Sequence, residues 1–313
     1  MSGLRLLRSL QQIHSSLVLR RITAGLQVCF LTSAAALCQG CIHRPEAVTR
    51  SDRTEPTASS TSASLGSQTP TESADVGHAA DRKFRIALDI GHTPHAPGAI
   101  GADGTKEYDF NQRIVDLLAR ELNKESNLQI IVINKDGHEI SLERRSMLAN
   151  AANADAFLAI HHDSANDRYL EAVKVDGKVY HQTKRFHGYS VFFSKKNPKF
   201  EDSQRFALAL AKAMHQAGFT PTLHHAEPIP GENRELVDRE LGVYRFDDLV
   251  VLKRSNMPSA LLECGVIVNP DEERELEQTD RQMKIVQAVK TAILEFAQSA
   301  ETSHSTPATA PSR

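Results

Sequence analysis

Apolar residues alternate between two patterns over residues 82–299. Short apolar runs predict strands that are buried on both faces, as in a parallel sheet. They cover 84–90, 129–134, 156–161, 189–193, 249–253 and 260–264. Between them, apolar positions at helical spacing predict helices over 107–124, 142–153, 203–217 and 280–300. This alternation predicts an α/β fold, a three-layer sandwich with a mostly parallel twisted sheet and helices on both faces. A hairpin is expected over 173–181, with Asp176-Gly177 at its turn.

The first 41 residues resemble an export signal. Arginines at 5, 8, 20 and 21 precede an apolar stretch over 22–37, which is shorter than the roughly 20 residues of a spanning helix. An amphipathic surface helix is the alternative. Export predicts a location in the periplasm or cell envelope.

The end of this signal leaves several export routes open. The sequence at 37–41, Leu-Cys-Gln-Gly-Cys, resembles a lipoprotein signal in which Cys41 would be lipidated and would anchor the chain to the membrane. Small residues over 34–36 suit an ordinary signal peptidase, and Arg20-Arg21 resembles a twin-arginine signal.

Two segments lack the large apolar residues that a folded core needs. Residues 42–81 are rich in Ser, Thr and Pro and predict a flexible tether. Residues 300–313 predict a disordered tail, which leaves 82–299 as one catalytic domain.

Composition excludes some classes of protein. The 37 basic and 39 acidic residues leave a net charge of −2, so no overall positive field indicates a nucleic-acid binder. Of the four cysteines only Cys264 lies in the predicted domain, which excludes a disulfide framework within it. No base is evident for Cys264, so a small buried thiol is expected.

Polar groups follow or end three of the predicted strands. His92 follows the first, His161 ends the third, and Glu263 lies in the last, while Glu107 begins the first helix. In open α/β sheets, ligands bind beyond the carboxyl ends of the strands. Two imidazoles and a carboxylate suit a catalytic zinc ion with one open position. A nearby carboxylate can then carry the proton, and Glu263 is the natural candidate for that base.

Five ordered motifs resemble the zinc-dependent N-acetylmuramoyl-L-alanine amidase family, often called amidase 3, over residues 86–297. They are Asp89-Ile90-Gly91-His92; Gly98-Ala99 with Lys106-Glu107; Arg144 or Arg145 with Ala149-Asn150 and Ala154-Asp155; Ala159-Ile160-His161-His162-Asp163; and Pro258, Leu261, Glu263, Gly265 and Asn269. The resemblance implies one zinc ion bound by His92, Glu107 and His161, with Glu263 in catalysis. It also implies cleavage of the amide between N-acetylmuramic acid and L-alanine in peptidoglycan.

The sequence departs from the family pattern at three places. Thr93-Pro94 replaces a Gly-Gly pair, Asp163 stands where Asn is usual, and the stretch 167–188 is longer than the pattern requires. In related amidases an insertion there can cover the site until a partner displaces it, so an activator protein is left open. Two other functions also remain open: a wall-binding protein without the chemistry, and a zinc peptidase acting on another amide.

Other polar residues have simpler interpretations. We expect His162 outside the ligand set, because neighbouring strand residues face opposite ways. Solvated positions are expected for His95, for the Arg144-Arg145 pair, and for His187, His224 and His225.

Overall fold

A computed structural model describes residues 82–305 of the chain. The predicted export signal over 1–41, the predicted tether over 42–81, and residues 306–313 lie outside the described residues. Cys41, the candidate lipidation site, is therefore not described. Among the described residues, no helix combines the length and the apolar character that crossing a bilayer requires.

Seven strands form one mixed sheet. Strands β1 (Phe84–Ile90), β2 (Leu128–Ile133), β3 (Ala156–Asp163) and β9 (Ser259–Val266) are parallel, in the order β2-β1-β3-β9. The sheet continues with three shorter strands, β6 (Ser190–Phe193), β8 (Val243–Arg245) and β7 (Glu235–Asp238). Strand β6 runs antiparallel to β9 and parallel to β8, and β7 runs antiparallel to β8. The sheet is therefore mostly parallel, as predicted.

Helices cover both faces of this sheet. On one face, α1 (Glu107–Leu122) packs on β1 and β3, α3 (Phe200–Gln216) packs on β6 and β9, and α6 (Thr279–Ser305) packs on α1 and α3. On the other face, α2 (Leu142–Ala151) and α4 (Val250–Lys253) pack against each other and against β2 and β9. A short helix, α5 (Pro270–Leu276), connects β9 to α6. The three-layer prediction is confirmed.

The alternation of strand residues explains why both faces need cover. In β1, Ile86 and Leu88 join the core beneath α1, whereas Ala87 joins the core beneath α2. In β3, Leu158 joins the core beneath α1 and Phe157 joins the core beneath α2. Because successive side chains of a strand point to opposite faces, a continuous apolar run needs helices on both sides.

Three element predictions need correction. The run 249–253, predicted as a strand, is the one-turn helix α4. Strands β7 and β8 were not predicted, because each has only three or four residues, too few for an apolar pattern to stand out. Helix α6 continues to Ser305, beyond the predicted end at 300 and into the segment predicted as a tail.

The predicted hairpin is confirmed. Strands β4 (Glu171–Val175) and β5 (Lys178–Gln182) form a separate two-stranded antiparallel sheet. Its turn residues Asp176 and Gly177 have φ angles of 47° and 84°, the left-handed conformation that an Asp-Gly turn accommodates.

Candidate active site

Two histidines and one carboxylate meet where β1 and β3 end; we call His92, Glu107 and His161 the first trio. His92 follows β1, His161 lies in β3, and Glu107 is the first residue of α1. Glu107 Oε1 lies 2.9 Å from His161 Nδ1 and 3.2 Å from His92 Nε2. The three ligand atoms lie within 4.8 Å of one another, so together they could hold a metal ion. The side chain of His92 is 33% exposed, which opens the trio to solvent.

Two glycines make room for this arrangement. A Cβ on Gly98, which has a φ of +78°, would lie 2.2 Å from Glu107 Oε2. A Cβ on Gly91 would lie 2.4 Å from His161 Nε2. His92 itself has a φ of 67°, a conformation that residues with a side chain seldom adopt and that concentrates at functional sites.

Glu107 is held as a carboxylate. Burial alone would raise its pKa, but hydrogen bonds with His161 and His92, together with their charges, outweigh burial and lower the pKa well below the ordinary value. Its second oxygen, Oε2, accepts a hydrogen bond from Ala99 N at 2.9 Å. Glu107 is therefore a fixed anion facing two imidazoles.

Glu263 has the opposite character. It pairs in register with His161 across the β3–β9 ladder. Its Oε2 is buried and has no hydrogen-bond partner among the described residues. Burial, and then the charges of Asp163 and Glu107, raise the pKa of Glu263 well above its ordinary value. The site thus contains two carboxylates whose surroundings move their proton affinities in opposite directions.

Arg145 holds the backbone at His92, a member of the first trio. The expectation that Arg145 is solvated is wrong. It is 3% exposed and its Nη1 donates to Asp89 Oδ1 at 2.8 Å. Its Nη2 donates to the carbonyl oxygen of His92 at 2.6 Å. Burial raises the pKa of Asp89, and the charge of Arg145 partly opposes this rise. Its neighbour Arg144 is exposed, as expected.

His162 lies outside the first trio, as expected. It is 2% exposed, and its Nδ1 lies 2.8 Å from Asn111 Oδ1. Burial lowers the pKa of His162 to about 3, so the ring is neutral. Cys264 is a buried free thiol, and His95 and His187 are exposed, so these expectations are also confirmed.

A second group of two histidines and one carboxylate contradicts the expectation that His224 and His225 lie at the surface; we call Asp163, His224 and His225 the second trio. His224 is 3% exposed, and the side chain of His225 is 12% exposed. Asp163 Oδ2 lies 2.7 Å from His225 Nε2 and 3.5 Å from His224 Nε2. These ligand atoms too lie within 4.8 Å of one another. The sequence signal was the adjacent histidine pair, but nothing local connects it to Asp163, about 60 residues earlier in the chain.

The family model for N-acetylmuramoyl-L-alanine amidase, Amidase_3, matches residues 86–295. The chain belongs to this amidase family. It is therefore an enzyme of the N-acetylmuramoyl-L-alanine amidase type, and the family resemblance inferred from its motifs is confirmed.

Two relatives agree with this assignment, and a solved structure has the same fold. The chain is 25% identical over 225 residues to a putative N-acetylmuramoyl-L-alanine amidase of Buchnera aphidicola subsp. Baizongia pistaciae, covering 67% of this chain and 95% of the relative. It is 24% identical to the amidase AmiC of Escherichia coli O6:H1, covering 68% of this chain but only 52% of AmiC. The catalytic domain of CwlV, an N-acetylmuramoyl-L-alanine amidase from Bacillus (Paenibacillus) polymyxa var. colistinus, has the same fold, with a TM-score of 0.53, 22% identity, and coverage of 69% of this chain and 98% of that domain.

Proposed function

We propose that this enzyme uses zinc to hydrolyse the amide bond between N-acetylmuramic acid and L-alanine in peptidoglycan. The family assignment supports the class of bond. One observation carries the chemistry: a solvent-accessible His-Glu-His trio lies beside Glu263, whose buried oxygen has no partner among the described residues. In the alternative that the chain only binds the wall, nothing would require these four residues to converge.

The donor atoms of the first trio fit a zinc ion. His92 Nε2, His161 Nδ1 and Glu107 Oε1 are the two imidazole nitrogens and one carboxylate oxygen that catalytic zinc sites commonly use, leaving one position open. Zinc bound by these residues would lower the pKa of a water molecule toward neutral and polarise the substrate carbonyl. Asn111 supports the carboxylate, because its Nδ2 lies 3.4 Å from Glu107 Oε1.

Glu263 moves the proton in this proposal. Its carboxylate takes a proton from the attacking water while the water oxygen bonds to the carbonyl carbon. It then gives that proton to the alanine nitrogen as the carbon–nitrogen bond breaks. Burial raises the pKa of Glu263, which favours holding the proton, whereas a bound cation would oppose that rise and keep the base available.

The bond that is cut can be tested directly. Purified peptidoglycan would be digested with the enzyme, and the new ends identified by mass spectrometry. We expect free L-alanine amino termini on the stem peptides and lactyl carboxylates on the muramic acid. Cleavage within the stem peptide instead would support a zinc peptidase and contradict the proposed substrate bond.

The roles of the two carboxylates can be separated by metal analysis. We expect Glu107→Gln and His161→Ala to lose zinc from the first trio, because each removes a ligand atom. Glu263→Gln should retain this zinc. If Glu107→Gln kept both zinc and activity while Glu263→Gln lost its zinc, the roles would be reversed.

We also propose that the chain is exported to the cell envelope, with Cys41 as the candidate lipid anchor. The charged and apolar pattern of residues 1–41 and the composition of 42–81 support this. Lipid labelling of the wild type and of Cys41→Ser tests the anchor. Label that disappears only in Cys41→Ser is expected, and equal labelling or none in both would reject Cys41.

A further inference from the structure

We propose that the second trio, Asp163, His224 and His225, binds a second divalent transition-metal ion of the zinc class. Two imidazole nitrogens and one carboxylate oxygen converge there, as they do in the first trio. Imidazole and carboxylate are donors that zinc accepts. This site is separate from the first trio and shares no ligand with it.

The far side of each imidazole is held in the way that metal-bound histidines usually are. His224 Nδ1 lies 2.8 Å from Thr222 Oγ1, and His225 Nδ1 lies 2.9 Å from Glu232 Oε2. Both Nε2 atoms therefore face Asp163 Oδ2. A partner on the second ring nitrogen fixes the tautomer and orientation of a ligating histidine. The structure thus presents both the ligands and the groups that orient them.

A buried nitrogen without a hydrogen-bond partner is the independent observation that points to a ligand in this cluster. His224 Nε2 makes no hydrogen bond among the described residues, although His224 is 3% exposed. This nitrogen lies 3.5 Å from Asp163 Oδ2, but the two atoms do not form a hydrogen bond. Burial of such a group without a partner is unfavourable, and a metal ion would satisfy it.

The charges of the cluster also fit a dication. Asp163 and Glu232 are two carboxylates on either side of His225. A divalent cation bound by the trio would carry the charge opposite to both carboxylates.

The spacing of the second trio resembles that of the first. Its carboxylate oxygen lies 2.7 and 3.5 Å from the two imidazole nitrogens, compared with 2.9 and 3.2 Å in the first trio. The cluster borders a surface cavity of about 270 Å³, which offers a route for the ion and for water. That cavity is lined by Asp163, Ser164, Ala165, Asn166, Asp167 and Glu232.

The position of this site gives the ion a structural task. His224 and His225 lie in a short 3₁₀ turn, His224–Ala226, between α3 and β7, whereas Asp163 ends β3 two residues after His161. A metal ion here would join that loop to the strand carrying a ligand of the first trio. Removing it should therefore loosen the loop while the first trio keeps its own ligands.

The test counts zinc ions per chain. Purified full-length chain would be loaded with Zn²⁺, freed of excess metal, and analysed by elemental mass spectrometry with circular dichroism to confirm folding. We expect two zinc ions in the wild type, one in Asp163→Asn, one in His161→Ala, and none in the double variant. Asp167→Asn, which changes an exposed carboxylate lining the same cavity, is the matched control and should keep both ions.

Two outcomes would overturn the second site. One is a single zinc ion in the wild type that His161→Ala removes. That result would support the first site and contradict the second. The other is retention of two ions by both Asp163→Asn and His225→Gln; the second variant also replaces the first if Asp163→Asn does not fold. Conversely, two ions retained in His161→Ala would contradict the first trio and not the second.

Discussion

The two trios have the same donor atoms, but the chain builds them in different ways. The first takes its residues from the beginning or end of regular elements: β1, α1 and β3. The second joins one strand end to a short turn in a long connection between α3 and β7. The residues that hold each trio in place differ in the same way. Arg145, from a helix on the opposite face, holds the first trio, whereas Thr222 and Glu232 of the same connection orient the second.

This difference indicates which trio depends on the whole domain. The first trio contacts Arg145, which forms a buried ion pair with Asp89 of the sheet. Substitutions in that ion pair should therefore affect folding. The second is coupled to its own loop, so changes there should affect metal binding more than folding. Four substitutions would break or sharpen this contrast.

The largest effect is expected at Glu263, where the chemistry depends on a single side chain. Glu263→Gln keeps the shape and removes the base, so turnover of peptidoglycan should fall by about a hundred- to ten-thousand-fold. Zinc content should not change. Glu240→Gln, at an exposed carboxylate, should turn over substrate at the wild-type rate. Wild-type turnover by Glu263→Gln would rule out its role as proton carrier.

The next effect is expected beneath the first trio. Arg145→Met leaves the buried Asp89 carboxylate without its cation, and breaking such a pair costs about 3–5 kcal/mol of unfolding free energy. Denaturant unfolding would measure this loss. Arg144→Met, at the exposed neighbour, should change the free energy by no more than about 0.5 kcal/mol. Equal effects of the two substitutions would contradict the coupling of the first trio to the domain.

A smaller effect is expected beneath the second trio. Glu232→Gln keeps an acceptor for His225 Nδ1 but removes its charge, and loss of such an orienting partner typically weakens metal affinity by about 10–100-fold. Competition with a chelator would measure the affinity of each site. The zinc of the first trio should not weaken, and parallel weakening at both sites would show that the trios are not independent.

The last effect is confined to a range of pH and concerns the loop that leads to Glu107. Glu273 Oε2 accepts a hydrogen bond from Asp103 N at 2.9 Å. Burial, and then Asp103, raise the pKa of Glu273 from 4.5 to about 8. Because the folded state holds this proton more tightly than the unfolded state, the stabilisation is complete below pH 4.5 and is lost as the pH rises toward 8.

Glu273→Gln removes this titration. We therefore expect the variant to lose less stability than the wild type between those pH values, measured as the shift of the melting temperature. Glu240→Gln, at an exposed carboxylate, should follow the wild-type profile. A variant with the wild-type pH profile would show that Glu273 does not contribute.

Regular elements with long apolar patterns were predictable from the sequence, and short ones were not. Strand β1 and helix α1 begin where they were predicted because their apolar residues repeat over many positions. The run at 249–253 was misread because four or five apolar residues fit a strand and a buried helical turn equally well. Arg145 was predicted to be solvated because its motif does not indicate that it forms a buried ion pair with Asp89.

The sequence by itself determined the order of the main strands and helices, the family, and which three residues form the first trio. Local periodicity places these residues at the ends of elements, and strand ends in a parallel sheet share one edge. The resemblance to the amidase family then singled out these three as the ligand set. Only the tertiary structure decided that Glu263 has a buried oxygen without a partner, and that His224 and His225 face Asp163. These features depend on how a long loop packs against a strand distant in sequence, and local patterns do not encode such contacts.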